Sequence, residues 1–467
     1  MTSLTFYGGV NEIGGNKILL EDKDTKVFLD FGKGFTTRST YFEEYLKPRQ
    51  ANGLVDFLKM GLVPEIEGAY RDDLMENAGK KLVEPDIDGV LLTHAHADHA
   101  DYISFLHEKI PLYMGTTTQN LLKAIQERSS SDFERQVLEY KELGSKRNDP
   151  RIQRKIETFR SGKKFNVGSL EVVPIHVDHS VPGAYGFVIY TSEGPVVYTG
   201  DIRIHGNKPE MTKEFVRKAK EEKPIALICE GTRITEQTTN ESEKVVFTEA
   251  NKVISKSKNL VFADFNFKDV DRVRTFYDLA KKNNRKFVIK LKDCYYLKYF
   301  SKDSGLDIPS YDDEHIVIYK PKQRTGKYVE TDYVGDDRYY ATLPNAKTAK
   351  EISSEPEKYI CGLGYFSFNS LIDMDIKSGV SYIHSSSEPY NEEQIISEKR
   401  LNNWIDKFGM EKHQIHCSGH AKGIDLMATV RYIDPKMLFP IHTEHPEAYK
   451  KVTDKITLVK LNKTYSV

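Results

Sequence analysis

The sequence predicts an α/β chain in which one domain is inserted into another, on three observations. Short apolar runs alternate with amphipathic stretches along all 467 residues. At roughly 150 residues per domain, that length suggests two or three domains. Histidines and carboxylates of ligand type gather before about residue 235 and after about residue 401, while the middle is poor in histidine. The hydrophobic fraction of 39% and charged fraction of 29% fit a globular protein and exclude collagen-like, disulfide-scaffold and wholly disordered chains. With 68 Lys+Arg against 69 Asp+Glu the chain is no broadly basic nucleic-acid binder, although a local basic groove remains compatible. No apolar run is long enough to cross a membrane, and MTSLTFYGGVNEIGG lacks a signal pattern, so a cytoplasmic protein without a membrane partner is expected. Cys229, Cys294, Cys361 and Cys417 form no CxxC pair, and no disulfide is expected.

The elements follow in order. Strands are expected at VFLD (27–30), GVLLT (89–93), LEVVPIHV (170–177), YGFVIYT (185–191), VVYTG (196–200) and IALICE (225–230). A turn at 192–195 makes YGFVIYT and VVYTG a hairpin. The middle segment carries LVFADF (260–265), KFVIKL (286–291) and VSYIHS (380–385). QIHCS (414–418), MLFPIHT (437–443) and KITLVKL (455–461) return to the outer domain. Helices are expected at 121–140, 268–283 and 399–408, the last with Leu401, Trp404, Ile405 and Phe408 on one core-facing stripe. Residues 33–85 form a long connection with short helices, a kind of loop that is often functional. The division expected is 1–235, an insert at 236–403, and a return segment at 404–467.

Chemistry concentrates in LLTHAHADHADY. His94 and His96 alternate along an extended segment and can share one metal. Asp98 and His99 fall where the chain turns into the next element and can face a second. Imidazole with carboxylate suits zinc, and also manganese or iron. His179, Asp201 and His442 each end a strand and complete a plausible cage. Asp201 suits a carboxylate bridging two cations, and Asp30 suits a carboxylate that orients a ligand imidazole. A two-cation centre fits hydrolysis and needs an acid for the leaving oxygen. His420 can supply it, with Glu230 raising its pKa. His416, Ser418 and the Gly419 amide would then be donors to phosphate.

These residues resemble the metallo-β-lactamase-fold hydrolases of the β-CASP nuclease family, most like ribonuclease J. His94-Ala-His96-Ala-Asp98-His99 is similar to that superfamily's signature. HSVPGAYGF (His179) and TGD (Asp201) resemble its next motifs, and Glu230, His420 in SGHA, and His442 in PIHTEHP resemble the three β-CASP motifs. The resemblance implies an αββα sandwich with an inserted β-CASP α/β domain that clamps nucleic acid. It implies two zinc ions, one on His94, His96 and His179, the other on Asp98, His99 and His442, with Asp201 between them. It places Asp98, Glu230 and His420 in the catalytic set. It implies single-stranded RNA as substrate, with single-stranded DNA as a second; a homodimer is a separate expectation. Phosphate contacts are expected from SGHA and from Ser385 and Ser386. One departure stands out: Lys268, Asp269 and Asp271 replace the Ser/Asn/His residues usual in a segment that helps seat the 5′ end.

Two other classes compete. A small-molecule thioesterase or lactonase can use the same metal centre, but needs no insert of this size. A non-catalytic nucleic-acid scaffold is expected to have lost ligands, whereas every ligand position identified here is filled.

Overall fold

The computed structural model describes residues 1–467 except 44, 130–132, 147, 238–240, 377–378 and 390–391. Parts of the expected 121–140 helix and of the 33–85 and 236–403 segments therefore lie outside the described residues. The chain divides into two compact units. One comprises Met1–Ile204, Lys208–Thr238 and Gly419–Val467; the other comprises His205–Asn207 and Thr239–Ser418.

The first unit is built on two stacked sheets. Among the described residues, one runs in the order Lys463–Ser466, Thr2–Gly8, Lys17–Asp22, Thr25–Phe31, Gly89–Leu91, Leu112–Gly115, Ile156–Phe159. The other runs Met437–Ile441, Ala226–Glu230, Pro195–Tyr198, Tyr185–Tyr190, Leu170–His176, Phe165–Val167. Alternation along the strands explains the stacking. Leu4, Phe6, Ile18, Leu20, Val27 and Leu29 of the first sheet share a buried core with Val172, Phe187, Ile189, Val196 and Ile228 of the second. Each such side chain contributes roughly 1.5–3 kcal/mol by leaving water. The intervening residues Val188, Val197, Leu227 and Leu438 point the other way. There they pack with Phe215 of helix Pro209–Glu221 and Leu426 and Val430 of helix Gly423–Ile433. The outer face of the first sheet meets the short helices Ala97–Ala100 and Asp101–Phe105. The result is the expected αββα sandwich.

Strand direction positions the chemistry. Thr25–Phe31, Gly89–Leu91 and Leu112–Gly115 pair in parallel, as do Pro195–Tyr198, Ala226–Glu230 and Met437–Ile441. Their carboxyl ends, where α/β folds bind ligands, carry or lead directly to Asp30, His94, Asp201, Glu230 and His442.

The second unit holds a sheet paired in parallel throughout, centred on Lys286–Lys290, Tyr359–Cys361, Val261–Asp264 and Ser381–His384. Glu411–Gln414 is its edge strand, paired with Ser381–His384. This edge carries the unit on to Ser418, beyond the expected end at 403. Arg272 and Glu243 form a fully buried ion pair inside this unit, Nε to Oε2 at 2.9 Å. Asp269 caps helix Val270–Lys282, accepting from the amides of Asp271 and Arg272.

Three expected elements differ. QIHCS is not a strand; the ladder with Ser381–His384 stops at Gln414, and beyond it Arg272 takes the Cys417 carbonyl. KITLVKL pairs only through a bridge from Leu438 to Ile456, and the final strand is Lys463–Ser466. Alternating apolar residues mark an extended chain, but not whether a partner continues alongside it. The helix expected over 121–140 occupies Thr116–Arg128, and Glu139–Tyr140 is a short strand. Its hydrophobic spacing persists past the helix because Phe133, Val137 and Leu138 are buried as well. In helix Leu291–Phe300, Cys294, Tyr295, Leu297, Tyr299 and Phe300 are all buried and serve as core.

Candidate metal centre

His96 caps the one-turn helix Ala97–Ala100, which carries Asp98 and His99. Two backbone bonds hold this turn in place: Asn16 donates to the Asp98 carbonyl and Lys33 to the Ala97 carbonyl, each at 3.0 Å. Gly32 lies against it so closely that a Cβ there would stand 1.7 Å from the Asp98 carbonyl oxygen.

The distant ligands converge on this turn. His96 Nδ1 lies 3.0 Å from His94 Nε2 and 3.1 Å from His179 Nε2. That spacing fits three nitrogens about 2.0–2.1 Å from one cation. Alongside, Asp98 Oδ2 lies 3.1 Å from His442 Nε2 and 3.8 Å from His99 Nε2. Between the two groups stands Asp201. Its Oδ2 faces His99 Nε2 at 3.2 Å, His94 Nε2 at 3.5 Å, His179 Nε2 at 3.6 Å, His442 Nε2 at 3.7 Å and His420 Nε2 at 3.9 Å. His94, His96, His179 and Asp201 form one group of ligand atoms able to hold a metal ion, and Asp98, His99 and His442 form a second.

Buried polar atoms test whether cations fit. Both Asp201 carboxylate oxygens and His99 Nε2 are buried without a hydrogen-bond partner among the described residues. A buried carboxylate without hydrogen-bond partners is costly. Here it is ringed by imidazole nitrogens, a donor set that fits a cation.

Behind these residues lies a supporting layer. Asp30, fully buried, accepts the Thr93 amide at 2.7 Å and the Tyr198 hydroxyl at 2.7 Å, and its Oδ2 lies 2.7 Å from His99 Nδ1. This orients the His99 ring with Nε2 facing Asp201. The Gly419 carbonyl lies 2.6 Å from His179 Nδ1 and does the same for that ring. Gly419 thus orients His179 through its carbonyl. Asp30 and His442 both take left-handed backbones (φ +58° and +52°), which non-glycine residues adopt at a cost.

His420 lies at the edge of the cluster. Its Nδ1 is 3.1 Å from Glu230 Oε2 and 3.1 Å from Thr232 Oγ1. Thr232 Oγ1 also lies 2.8 Å from His442 Nδ1. Burial disfavours charge on His420, but the Glu230 and Asp201 carboxylates outweigh it and push its pKa up to about 9. Burial drives His94 and His179 well below the usual histidine range, leaving neutral lone-pair donors. His99 moves the other way: burial opposes it, but Asp201, Asp30 and Asp98 hold it well above that range.

The comparisons with known proteins agree with this architecture. A β-lactamase superfamily domain matches residues 71–238, and a Zn-dependent metallo-hydrolase RNA specificity domain matches residues 407–452. Over 95% of the chain it is 22% identical to ribonuclease J of Mycoplasma genitalium, and over 96% it is 24% identical to ribonuclease J 2 of Streptococcus pyogenes. The chain is a ribonuclease J-like protein of the metallo-β-lactamase fold. Ribonuclease J of Helicobacter pylori matches at 23% identity over 95% of the chain. The chain spans 56–71% of the length of these three relatives. A solved protein of unknown function from Enterococcus faecalis V583 shares the fold, with a TM-score of 0.76, 23% identity and 99% coverage of both chains. In this ribonuclease J-like chain the first domain match contains His94, His96, Asp98, His99, His179, Asp201 and Glu230, and the second contains His420 and His442.

The remaining expected residues lie in the second unit. Ser385 is buried, and its hydroxyl accepts from Arg272 Nη1 at 2.7 Å. His416 Nδ1 lies 3.1 Å from the Ser385 carbonyl and 3.2 Å from Arg272 Nη1. Burial and that guanidinium push the His416 pKa down to about 4. The Ser418 carbonyl lies 2.8 Å from His205 Nε2, and Ser386 is half-buried. Sequence reasoning missed Thr93, Tyr198 and Thr232. Each sits one to three residues from a strand-end ligand or carboxylate, but no sequence signal separates it from an ordinary strand residue. No described helix is long and apolar enough to cross a membrane.

Proposed function

We propose that the chain is a two-zinc phosphodiesterase that cleaves single-stranded RNA, with single-stranded DNA as a secondary substrate and manganese as a competent replacement. The observation that carries this reading is Asp201 Oδ2, with five imidazole nitrogens within 3.9 Å of it. One carboxylate ringed in this way suits a bridge between two cations. His94, His96 and His179 would hold one; Asp98, His99 and His442 the other. The bound pair would polarise a phosphodiester and lower the pKa of water toward neutrality.

The chain's own residues supply the rest. Glu230 takes Nδ1 of His420 and so leaves Nε2 pointing to the cluster. With its pKa near 9 that imidazole is protonated at neutral pH, and it can hand a proton to the leaving oxygen. Asp30 and the Gly419 carbonyl hold His99 and His179 so that their Nε2 atoms face Asp201 and would be available to a cation. RNA as substrate is supported by the RNA specificity domain match and by the names of the relatives.

The test is metal-dependent cleavage of 5′- and 3′-labelled single-stranded RNA beside a generic carboxylic ester. RNA turnover that disappears with chelator and returns with zinc is expected. Ester turnover without RNA cleavage would replace this reading with a small-molecule hydrolase. Asp201→Ala is expected to abolish both metal retention and cleavage.

A further inference from the structure

We propose that the first unit carries a second nucleotide site, at the open end of its sandwich, with the base against Tyr113 and Phe165 and the phosphate on Arg160 and Lys163. The last strands of the two sheets, Ile156–Phe159 and Phe165–Val167, meet at this end. A cavity of about 470 Å³ opens there, within the usual range of small-molecule sites.

Its wall is aromatic. Phe165 stacks on Tyr113 at 5.3 Å and 10°, and on Phe159 at 5.3 Å and 8°. Phe159 closes the inner end, edge-on to Tyr185 at 4.9 Å. Tyr113 and Phe165 remain half-exposed and line the cavity. A flat base offers such rings stacking that an aliphatic ligand lacks, worth roughly 1–3 kcal/mol per base.

Its rim is cationic. Residues 160–164 read Arg-Ser-Gly-Lys-Lys, and Arg160, Lys163 and Lys164 all line the cavity, against one carboxylate, Glu157. Lys164 is engaged by Glu171 at 2.7 Å, and Glu157 by Lys155 at 3.9 Å. Lys163 is exposed and makes no ion pair among the described residues. The turn is pinned: Gly162 takes φ +75° and donates to the Pro174 carbonyl at 2.8 Å, and Ser161 Oγ accepts the His176 amide at 3.0 Å. The backbone of the turn that carries these cations is therefore fixed, tied three residues before His179.

A planar ring beside two cations is the chemistry of a nucleoside monophosphate, whether free or as one unit of an RNA strand. The strand source rests on the nuclease reading; the free source does not.

The experiment titrates the full chain with AMP by calorimetry, with adenosine and inorganic phosphate as controls. Binding by AMP, and weaker binding by either part alone, is expected. The double variant Arg160→Ala/Lys163→Ala, on an exposed turn, should weaken AMP by roughly tenfold or more, and Phe165→Leu should weaken it too. A short 2′-O-methyl oligoribonucleotide that displaces AMP assigns the strand source; one that binds without displacing it assigns the free nucleotide. Equal AMP affinity in the wild type and the double variant, or no AMP binding at millimolar concentration, overturns the proposal. Absent RNA cleavage with intact AMP binding would sink the nuclease reading and leave this site standing.

Discussion

Glu230 and His420 are joined by a 3.1 Å contact from Oε2 to Nδ1, while the opposite nitrogen of the same ring faces Asp201 at 3.9 Å. One imidazole thus links a fully buried carboxylate at the margin to the carboxylate at the middle of the ligand cluster.

That link predicts a pH profile. A proton donor works only while protonated, so activity should fall as pH rises through about 9. Glu230→Gln removes the larger of the two favourable charges and should move this alkaline limb to lower pH. His420→Ala should retain metal while cleavage drops by roughly 10²–10⁴-fold. Loss of metal from His420→Ala, measured by elemental analysis, would reassign His420 as a ligand.

Metal uptake should release protons. His99 is held well above the ordinary histidine range by Asp201, Asp30 and Asp98, and a cation must displace that proton. Affinity should therefore weaken as pH falls. Calorimetry in buffers of different ionisation enthalpy reads the release directly; a binding enthalpy independent of buffer would contradict it.

Asp30 touches no ligand atom that faces the centre, yet it should matter. Asp30→Asn weakens the contact that orients His99 and should lower metal affinity by roughly 10–100-fold. Competition with a graded chelator measures this. Unchanged affinity would leave Asp30 a purely structural strand-end residue.

Gly32→Ala places a methyl group 1.7 Å from the Asp98 carbonyl oxygen and 2.4 Å from the His99 amide nitrogen. These are backbone atoms with little room to move. The substitution should lower stability by roughly 1–3 kcal/mol or more and displace Asp98 and His99, seen as lost metal affinity in whatever fraction still folds.

Lys17 is buried between Phe31 and Tyr102 and donates to the Gly15 carbonyl. Burial pushes its pKa down to about 8, against 10.5 when exposed. Between those values the unfolded chain binds more protons than the folded one, so this group makes stability rise with pH across that window. Lys17→Met should flatten the rise and stabilise the protein near neutrality by on the order of 1–3 kcal/mol. Denaturant unfolding of both proteins at pH 7 and pH 10 reads the difference.

Much of the centre was legible because its residues sit at strand ends. The tight His94–His99 run marks itself, and the apolar runs before Asp201, Glu230 and His442 place those residues at carboxyl ends. Asp30 could be assigned as a supporting carboxylate for the same reason. The supporting hydroxyls of Thr93, Tyr198 and Thr232 were not legible, because threonine and tyrosine are ordinary strand residues until their partners are known. Ser385 was misread in part: an exposed-looking serine run hides one serine whose hydroxyl is taken by buried Arg272.

The linear order alone determined the sandwich, and it marked seven residues of ligand type near strand ends as candidates, since periodicity and residue chemistry are local properties. Only the folded chain decided that five imidazoles surround one oxygen of Asp201, where the second unit ends, and which charges raise or lower each histidine. Those depend on distances of 3 to 4 Å between residues as many as 344 positions apart, and Coulomb energy at that range follows space rather than sequence.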